Sequence, residues 1–461
     1  MQHTKKDKIR IGSGHGFWGD IFEPGAVIVE KGDVDYMAYD FLGEPTIPLL
    51  QQERRRDLAK GYVPAITALI RSIFPTCIKK GIRIVTNAGA ANPEACAERI
   101  AEVARNEFNI SGFKIGIVLD PDVSGRIDEL RAKGIKFKNL DTGEEDIGRI
   151  RDRIVASYVY LGSELIVEAL EQGANIVITG RTTDDAAILG PLVYEFGWKW
   201  DDWDLLAKGI AAGHLIECAG CVTGGISCVW KERPEPWNLG YPIVEVGSDG
   251  DFIVTKVQGT GGLVDMRTVT EHLVYEVHDP ANYIMPEVIT DWSNARLEQV
   301  GENTVRVSGI RGKPRPSTLK VCFAHTDGFI GEGFTILTLP DALGKARHAA
   351  EQIRRKLEMM KLDADEVRYD YIGYNAILGS TVPEEPPPGC EPNEIMLRVA
   401  AKCKTYAEAA KIGRVMTWLI GAGPIGNTGQ LNTPPPREVL ALWPSLIPRE
   451  EAQGRLVMKE V

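Results

Sequence analysis

The feature that most constrains this chain is a rhythm in its first 215 residues. Short runs rich in β-branched residues recur at 9–12, 34–39, 82–86, 114–119 and 175–179. Each is apolar along its length, as expected of a strand buried on both faces. Helical patterns fill the intervals at 49–80, 93–107, 124–133 and 147–172, and Asn92 before Pro93 reads as a helix N-cap followed by proline at the first helical position. Strands alternating with helices predict an α/β fold with a parallel, Rossmann-like sheet flanked by helices. A further helical region, 184–217, is expected to break or kink at Gly190-Pro191.

After residue 225 the pattern changes. Strand-like segments appear at 243–246, 252–257, 304–308, 318–324 and 333–339. An amphipathic helix (342–360), a strand (367–372), a Pro-rich loop (382–392), a strand (395–400) and a helix (406–419) follow. The division expected is an α/β core over 1–225, an α+β domain over 226–420, and a Pro-rich strap over 421–461 docked on the body or on a neighbour.

Several function classes are excluded by composition. A net charge of −11 argues against nucleic acid as a partner, since phosphate binding needs clustered Lys and Arg. It leaves room for an anion in a locally positive pocket. No apolar run approaches the roughly 18–20 residues of a membrane span. The charged N-terminus lacks the apolar segment of a signal peptide, so a cytoplasmic protein is expected. The eight cysteines are scattered and do not form a disulfide framework; Cys96 and Cys322 read as small buried hydrophobes.

The predicted parallel strands share one property: each ends in glycine or polar residues. These are Gly12-Ser13-Gly14-His15-Gly16, Asp40, Asn87-Ala88-Gly89, Asp120, and Gly180-Arg181. Ligands of open α/β sheets bind outside the carboxyl ends of the strands, so these residues are expected to converge on one crevice. Turn preference of Asp, Asn and Gly is the competing explanation. The first loop, through Gly19-Asp20, has the glycine content of a phosphate cradle, although its spacing is not a dinucleotide fingerprint and it has no Gly-Lys-Ser/Thr. His15 there is an acid or base, or a turn histidine. Arg181 can clamp a carboxylate. Asp184 or Asp185 reads as a base, a metal ligand or a helix N-cap. His214, Glu217 and Cys218 share a helical face and offer an acid–base pair, while Cys218 and Cys221 lack the second ligand pair of a zinc site. In the second half, Thr260-Gly261-Gly262 can wrap a ligand, and Arg311, Lys313 and Arg315 place three cations in one loop.

These motifs, in this order, resemble the acyclic terpene utilisation family AtuA. The likeness rests on the 12–20 loop, the 87–93 loop, and Ile176 through Gly180-Arg181 with Asp184. It continues through Leu189-Gly190-Pro191, Gly213 to Cys218, Thr260 to Val264, 305–313, and Pro436-Arg437-Glu438-Val439. It implies a catabolic role connected with branched acyl-CoA intermediates. It also implies a small companion of about one hundred residues, fused or separate; in this chain a separate partner subunit, and oligomerisation, are expected. Gly423-Pro424-Ile425-Gly426 departs from the Gly-Pro-Ala-Gly of many relatives, and Gly224 to Trp230 is an unusual run, which favours a smaller branched acid over a terpenoid.

The function expected is therefore a lyase of hydro-lyase type acting on a short branched carboxylic acid or its CoA thioester. Candidate catalytic groups are Asp20, Asp40, Asp120, Asp184, His214 and Glu217. Candidate substrate-binding residues are Ser13, Gly14, His15, Gly16, Asn87, Gly89, Asn92, Arg181, Thr260, Gly261, Gly262 and Arg311. No cofactor or metal is assigned by the sequence. A nucleotide- or phosphate-dependent enzyme and a non-catalytic binding subunit are the alternatives.

Overall fold

The computed structural model describes residues 6–429 and 432–461. The first five residues, and Gln430 and Leu431 of the expected strap, lie outside it. Contacts divide the chain into two units, 1–324 with 442–461, and 325–441. Residues 226–324 thus group with the first 225, and the division falls a hundred residues later than the sequence pattern suggests.

The first unit is built on a ten-stranded mixed sheet. Its middle consists of β1 (Lys8–Ser13), β2 (Tyr36–Tyr39), β3 (Arg83–Thr86) and β4 (Lys114–Leu119), with β5 (Ile154–Val159) outside the sheet and β6 (Ile176–Thr179) inside it. Strands β1, β2, β3, β6 and β4 are parallel neighbours in that order. This is not the Rossmann order, because β1 ends the parallel block instead of sitting at its centre. Antiparallel strands extend it: β7 (Pro242–Gly247) on β1, then β8 (Phe252–Lys256). A small sheet holds β9 (Tyr283–Ile284) and β10 (Ile289–Asp291). Then β11 (Arg296–Gly301) and β12 (Thr304–Ser308) close one edge of the large sheet, and β13 (Arg311–Lys313) pairs with β10.

Helices cover both faces, and the crossover rule explains which. α1 (Glu23–Lys31), α2 (Thr46–Arg56), α3 (Ile66–Lys80) and α4 (Pro93–Phe108) join strands that advance in one direction across the sheet. They pack with Met37, Tyr39, Ile84, Ile115 and Ile178 on one face. The chain then steps back from β4 to β6 through α5 (Ile127–Ala132) and α6 (Glu164–Glu171). A right-handed crossover in the reverse direction must lie on the other face. There α6, α7 (Ala186–Phe196) and α8 (Trp203–Glu217) pack with Ile9, Ile11, Ala38, Val85, Val118 and Val177. Alternate residues of each strand thus feed opposite cores, which is why the strands are apolar throughout. Helix α9 (Met266–Leu273) follows β8 and is held by an Asp265–Thr268 capping box.

β14 (Thr318–Thr338) begins in the first unit and continues into the second. The second unit then runs α10 (Ala342–Met359), β15 (Glu366–Ile372), β16 (Glu394–Cys403), α11 (Tyr406–Ala422) and β17 (Asn427–Gly429). Its strand order is β15-β16-β14-β17, all antiparallel. That is the split βαββαβ arrangement. Leu337, Leu397 and Val399 meet Ala346, Ile353, Ile412 and Leu419 in its core. β18 (Arg437–Pro448) leads back, and β19 (Arg455–Glu460) lies antiparallel on β4 as the far edge of the large sheet. The tail is therefore sheet as well as strap.

Three element expectations are corrected. The 49–80 helix is two, α2 and α3, separated by residues 57–65. The 147–172 segment is helical only in two short turns and α6, because Ile154–Val159 forms β5 against β14. Pro191 lies inside α7 without ending it; the break comes at Gly197, which caps the helix in the left-handed conformation at φ 64°. Among the described residues no helix is long and apolar enough to cross a membrane.

Close packing of helix on sheet gives a first prediction. A Cβ at Gly116 of β4 would lie 2.5 Å from the Ala169 Cβ on α6. Gly116→Ala should destabilise the protein by about 1–3 kcal/mol, read as a lower denaturation midpoint with an unchanged m-value.

Candidate active site

All five parallel strands point the same way, so their carboxyl ends share one edge. Asp40 after β2 and Asn87 after β3 meet there: Asn87 Nδ2 donates to Asp40 Oδ1 at 2.6 Å, and Leu42 N donates to the same oxygen at 2.8 Å. The Asn87 carbonyl oxygen accepts from Phe41 N at 2.8 Å. Asn87 therefore holds Asp40 in place, and its own polar atoms are engaged.

Arg181, two residues past β6, is buried beside them. Its Nη1 donates to Asp184 Oδ1 at 2.8 Å and to Leu42 O at 2.9 Å, and its guanidinium lies 4.3 Å from the Tyr160 ring centroid. Burial alone would lower its pKa, but Asp184, Tyr160 and Asp40 together hold it above the ordinary value. Lys320 on β14 sits 4.6 Å from the same ring and 2.8 Å from Glu44 Oε1. Tyr160 thus joins two cations.

α8 brings the third group. His214 Nε2 lies 2.9 Å from His272 O, which can only accept, so Nε2 carries the proton and Nδ1 is bare. Glu217 Oε1 is 3.2 Å from that Nδ1, in a direction poor for a hydrogen bond. Burial lowers His214 to about 4 and, with His214 beside it, His272 to about 3. Burial, then Asp184 and Asp40, push Glu217 well above the carboxylate range. Burial and Asp184 raise Asp40 to about 7, against Arg181 and Asn87. The environment of Glu217 therefore favours its protonated form, beside an imidazole that burial keeps neutral.

Tyr160, Thr183, Asp184, Glu217, Tyr283 and Lys320 face a cavity of about 430 Å³ whose remaining walls are largely apolar, with Leu140, Ile284 and Leu446 exposed there. Tyr160, Tyr283 and Lys320 were not singled out from the sequence as site residues. A lysine within the buried run Leu319 to Ala324 was the one available hint.

Other expectations fare differently. Asp120 is raised to about 7 by burial, but the charges acting on it are Asp122 and Arg54, not the Arg181 group. Asp20 latches its own loop, receiving Gly16 N at 3.1 Å and the Tyr241 hydroxyl. His15 is fully buried between Phe22 and Phe41, its ring nitrogens 3.0 and 3.1 Å from the carbonyl oxygens of Asp40 and Asp20. The 12–16 glycines face protein: a Cβ would strike Ile28 at Gly12, the Tyr39 ring at Gly14 and the Cys218 backbone at Gly16. Ser13 is buried at the end of β1. Gly89 packs on Thr179 O and Pro93. Asn92 caps α4, as its position before Pro93 suggests, and donates to Leu58 O and Lys60 O. Thr260 and Gly262 line a separate groove with Arg10, Lys31 and Lys256, and Gly261 packs on Glu235. Arg311 is exposed and paired with Asp204 at 2.7 Å. Among the described residues no group of three or more His, Cys, Asp or Glu is placed to hold a metal ion.

The family described as acyclic terpene utilisation family protein AtuA matches residues 9–458. The chain belongs to the AtuA family. No curated protein and no solved structure matches it. Family membership suggests a catabolic role.

The shifted groups set the pH dependence of stability. For Asp40 and Glu287, both raised to about 7, the folded chain keeps protons that the unfolded chain releases near pH 4. Their contribution is full below that point and lost as pH rises to about 7. His214 and His272 act oppositely, gaining stability as pH rises through about 4 to 6.5. Above about pH 6.5 only the carboxyl term remains. Glu287→Gln should flatten the fall in Tm between about pH 6.5 and 8; parallel Tm–pH curves for variant and wild type would refute this.

Proposed function

We propose that this protein is a hydro-lyase of a catabolic route, adding water to, or removing it from, a short branched carboxylic acid or its CoA thioester. The observation that carries the reading is that Glu217, whose burial and acidic neighbours favour its protonated form, and Asp184, ion-paired with Arg181, share one wall of an apolar pocket that also presents Lys320.

Removing water from a 3-hydroxyacyl group requires three things. A base takes the proton next to the carbonyl, a cation or donor stabilises the enolate, and an acid protonates the departing hydroxyl. Asp184 supplies the base, held by Arg181. Lys320, backed by the Tyr160 ring, supplies the positive charge for the carbonyl oxygen. Glu217 supplies the proton for the hydroxyl, which leaves as water. The apolar walls take the branched alkyl part, and their low polarity strengthens each charge interaction inside. Asp40, held by Asn87, adds negative charge near Arg181. The separate companion subunit implied by the family resemblance belongs to the same proposal; native mass spectrometry of the protein purified from its source tests it.

The reaction is tested by incubating the protein with branched enoyl and 3-hydroxyacyl CoA thioesters, and with the free acids, and following gain or loss of one water by mass spectrometry. Turnover of one of them is expected; no conversion of any, with the copurified companion present, would refute the reading. With a substrate in hand, Glu217→Gln should lower kcat at least about 100-fold with little change in KM. Activity should fall on the alkaline side as Glu217 loses its proton. Asp40→Asn should remove a transition near pH 7 from the profile while leaving that alkaline limb.

A further inference from the structure

Behind Glu217 lie carboxyl groups that the reaction above does not use. Asp185 is fully buried, and its carboxyl oxygens make no well-formed hydrogen bond, the Thr183 hydroxyl being the donor that acts on them. It precedes α7 but makes no side-chain cap to it, so the ordinary reason for an aspartate there is missing. Glu287 is also buried; its Oε1 accepts from Ser163 N at 2.5 Å and Ser163 Oγ at 2.6 Å, while Oε2 has no partner. Such groups are rare in folded proteins and call for a reason.

Their placement supplies one. Gly213 of α8 faces Asp185 so closely that a Cβ would lie 2.7 Å from the Asp185 Cβ. Glu217 is one turn further on the same face, and helical side chains lean toward the N-terminus, over the Gly213 turn. On the other side, a Cβ at Gly162 would lie 2.6 Å from both Glu287 Oε1 and Glu164 Oε2, so those two oxygens share one small space. Glu164 is about one-third exposed and pairs with Arg449 at 3.3 Å and Arg315 at 3.6 Å. Asp185 feels the charges of Glu287 and then Glu217, and Glu287 feels that of Glu164.

We propose that Glu164, Glu287, Asp185 and Glu217 form a proton path from the surface to the floor of the pocket, with Asp185 recharging Glu217. The proposal rests on Glu217 being the proton donor of the reaction. When Glu217 has given its proton to the leaving hydroxyl, the Asp185 carboxyl proton passes to the Glu217 carboxylate, and Asp184, about one-third exposed, releases to solvent the proton it took from the substrate. The Glu287 proton then passes to Asp185, and Glu164 brings one from solvent to Glu287. In the hydration direction the same proton travels outward. Asp185 and Glu287 are positioning residues here, since they act only through Glu217.

Infrared titration of the protein without substrate tests the path, so its outcome does not depend on the reaction assigned above. The bands of protonated carboxyls are assigned by their loss in Glu217→Gln and Asp185→Asn. Coupled carboxyls titrate as a set. Asp185→Asn should lower the midpoint of the Glu217 band by about one pH unit or more, and Glu287→Gln should do the same to the Asp185 band. If Asp185→Asn does not fold, Glu217→Gln reads the coupling from the other end, lowering the midpoint of the buried bands that remain. Unmoved midpoints in the folded variants would overturn the path, as would the absence of an Asp185 carboxyl band at neutral pH.

Discussion

A buried guanidinium is costly unless its charge is met, and Arg181 is the point around which the rest of the site is arranged. Asp184 meets it through a hydrogen-bonded ion pair, the Leu42 carbonyl takes a second bond, and the Tyr160 ring covers one side. Asp184 lies three residues along the same loop, while Leu42 and Tyr160 follow other strands, so the full set of contacts ties the site to the fold. Gly180, just before Arg181, has no room for a side chain because the Asp120 carboxylate stands against it. The strand end is fixed on both sides of the peptide that carries the arginine.

That arrangement leaves the site with more acids than cations. Asp40, Asp184, Asp185, Glu217 and Glu287 gather in a region where the cations are Arg181, Lys320 and, beside Glu287, Arg449. They cannot all be ionised in a medium of low polarity, so protonation is the route by which the excess is relieved. The two histidines do not help, since burial keeps both neutral. Asp184 is ion-paired with Arg181, while burial and its acidic neighbours favour the protonated form of Glu217.

The parallel core was legible because strands buried on both faces leave long apolar runs, and because parallel strands must all end on one edge. That logic placed Asp40, Asn87 and Arg181 together, and helical spacing placed His214 beside Glu217. It failed where tertiary pairing decides. Ile154 to Val159 has an apolar content that suits helix or strand, and only the partner β14 makes it a strand. Pro191 looked like a break, yet α7 is packed between α6 and α8 with Gly190 against Ile166, and that packing holds the helix through the proline. Lys320, Tyr160 and Glu287 were invisible for a related reason. Each belongs to a segment whose sequence says only strand or loop, and each reaches the site through the fold.

The glycine-rich first loop shows why composition alone misleads about ligands. A phosphate cradle and a tight core junction both require that no Cβ be present. Here the absent Cβ atoms make room for Ile28, Tyr39 and the Cys218 backbone. The Gly16 contact matters most, because it places the β1 loop directly on the residue that follows Glu217. Asp20 and Tyr241 then lock that loop, and His15 fills the space beneath it with both ring nitrogens turned to backbone carbonyls. The loop therefore acts on the site from behind, as the buttress that fixes the end of α8 and the backbone of Asp40. Its glycines leave room for these neighbours, so their absence of side chains is accounted for by packing.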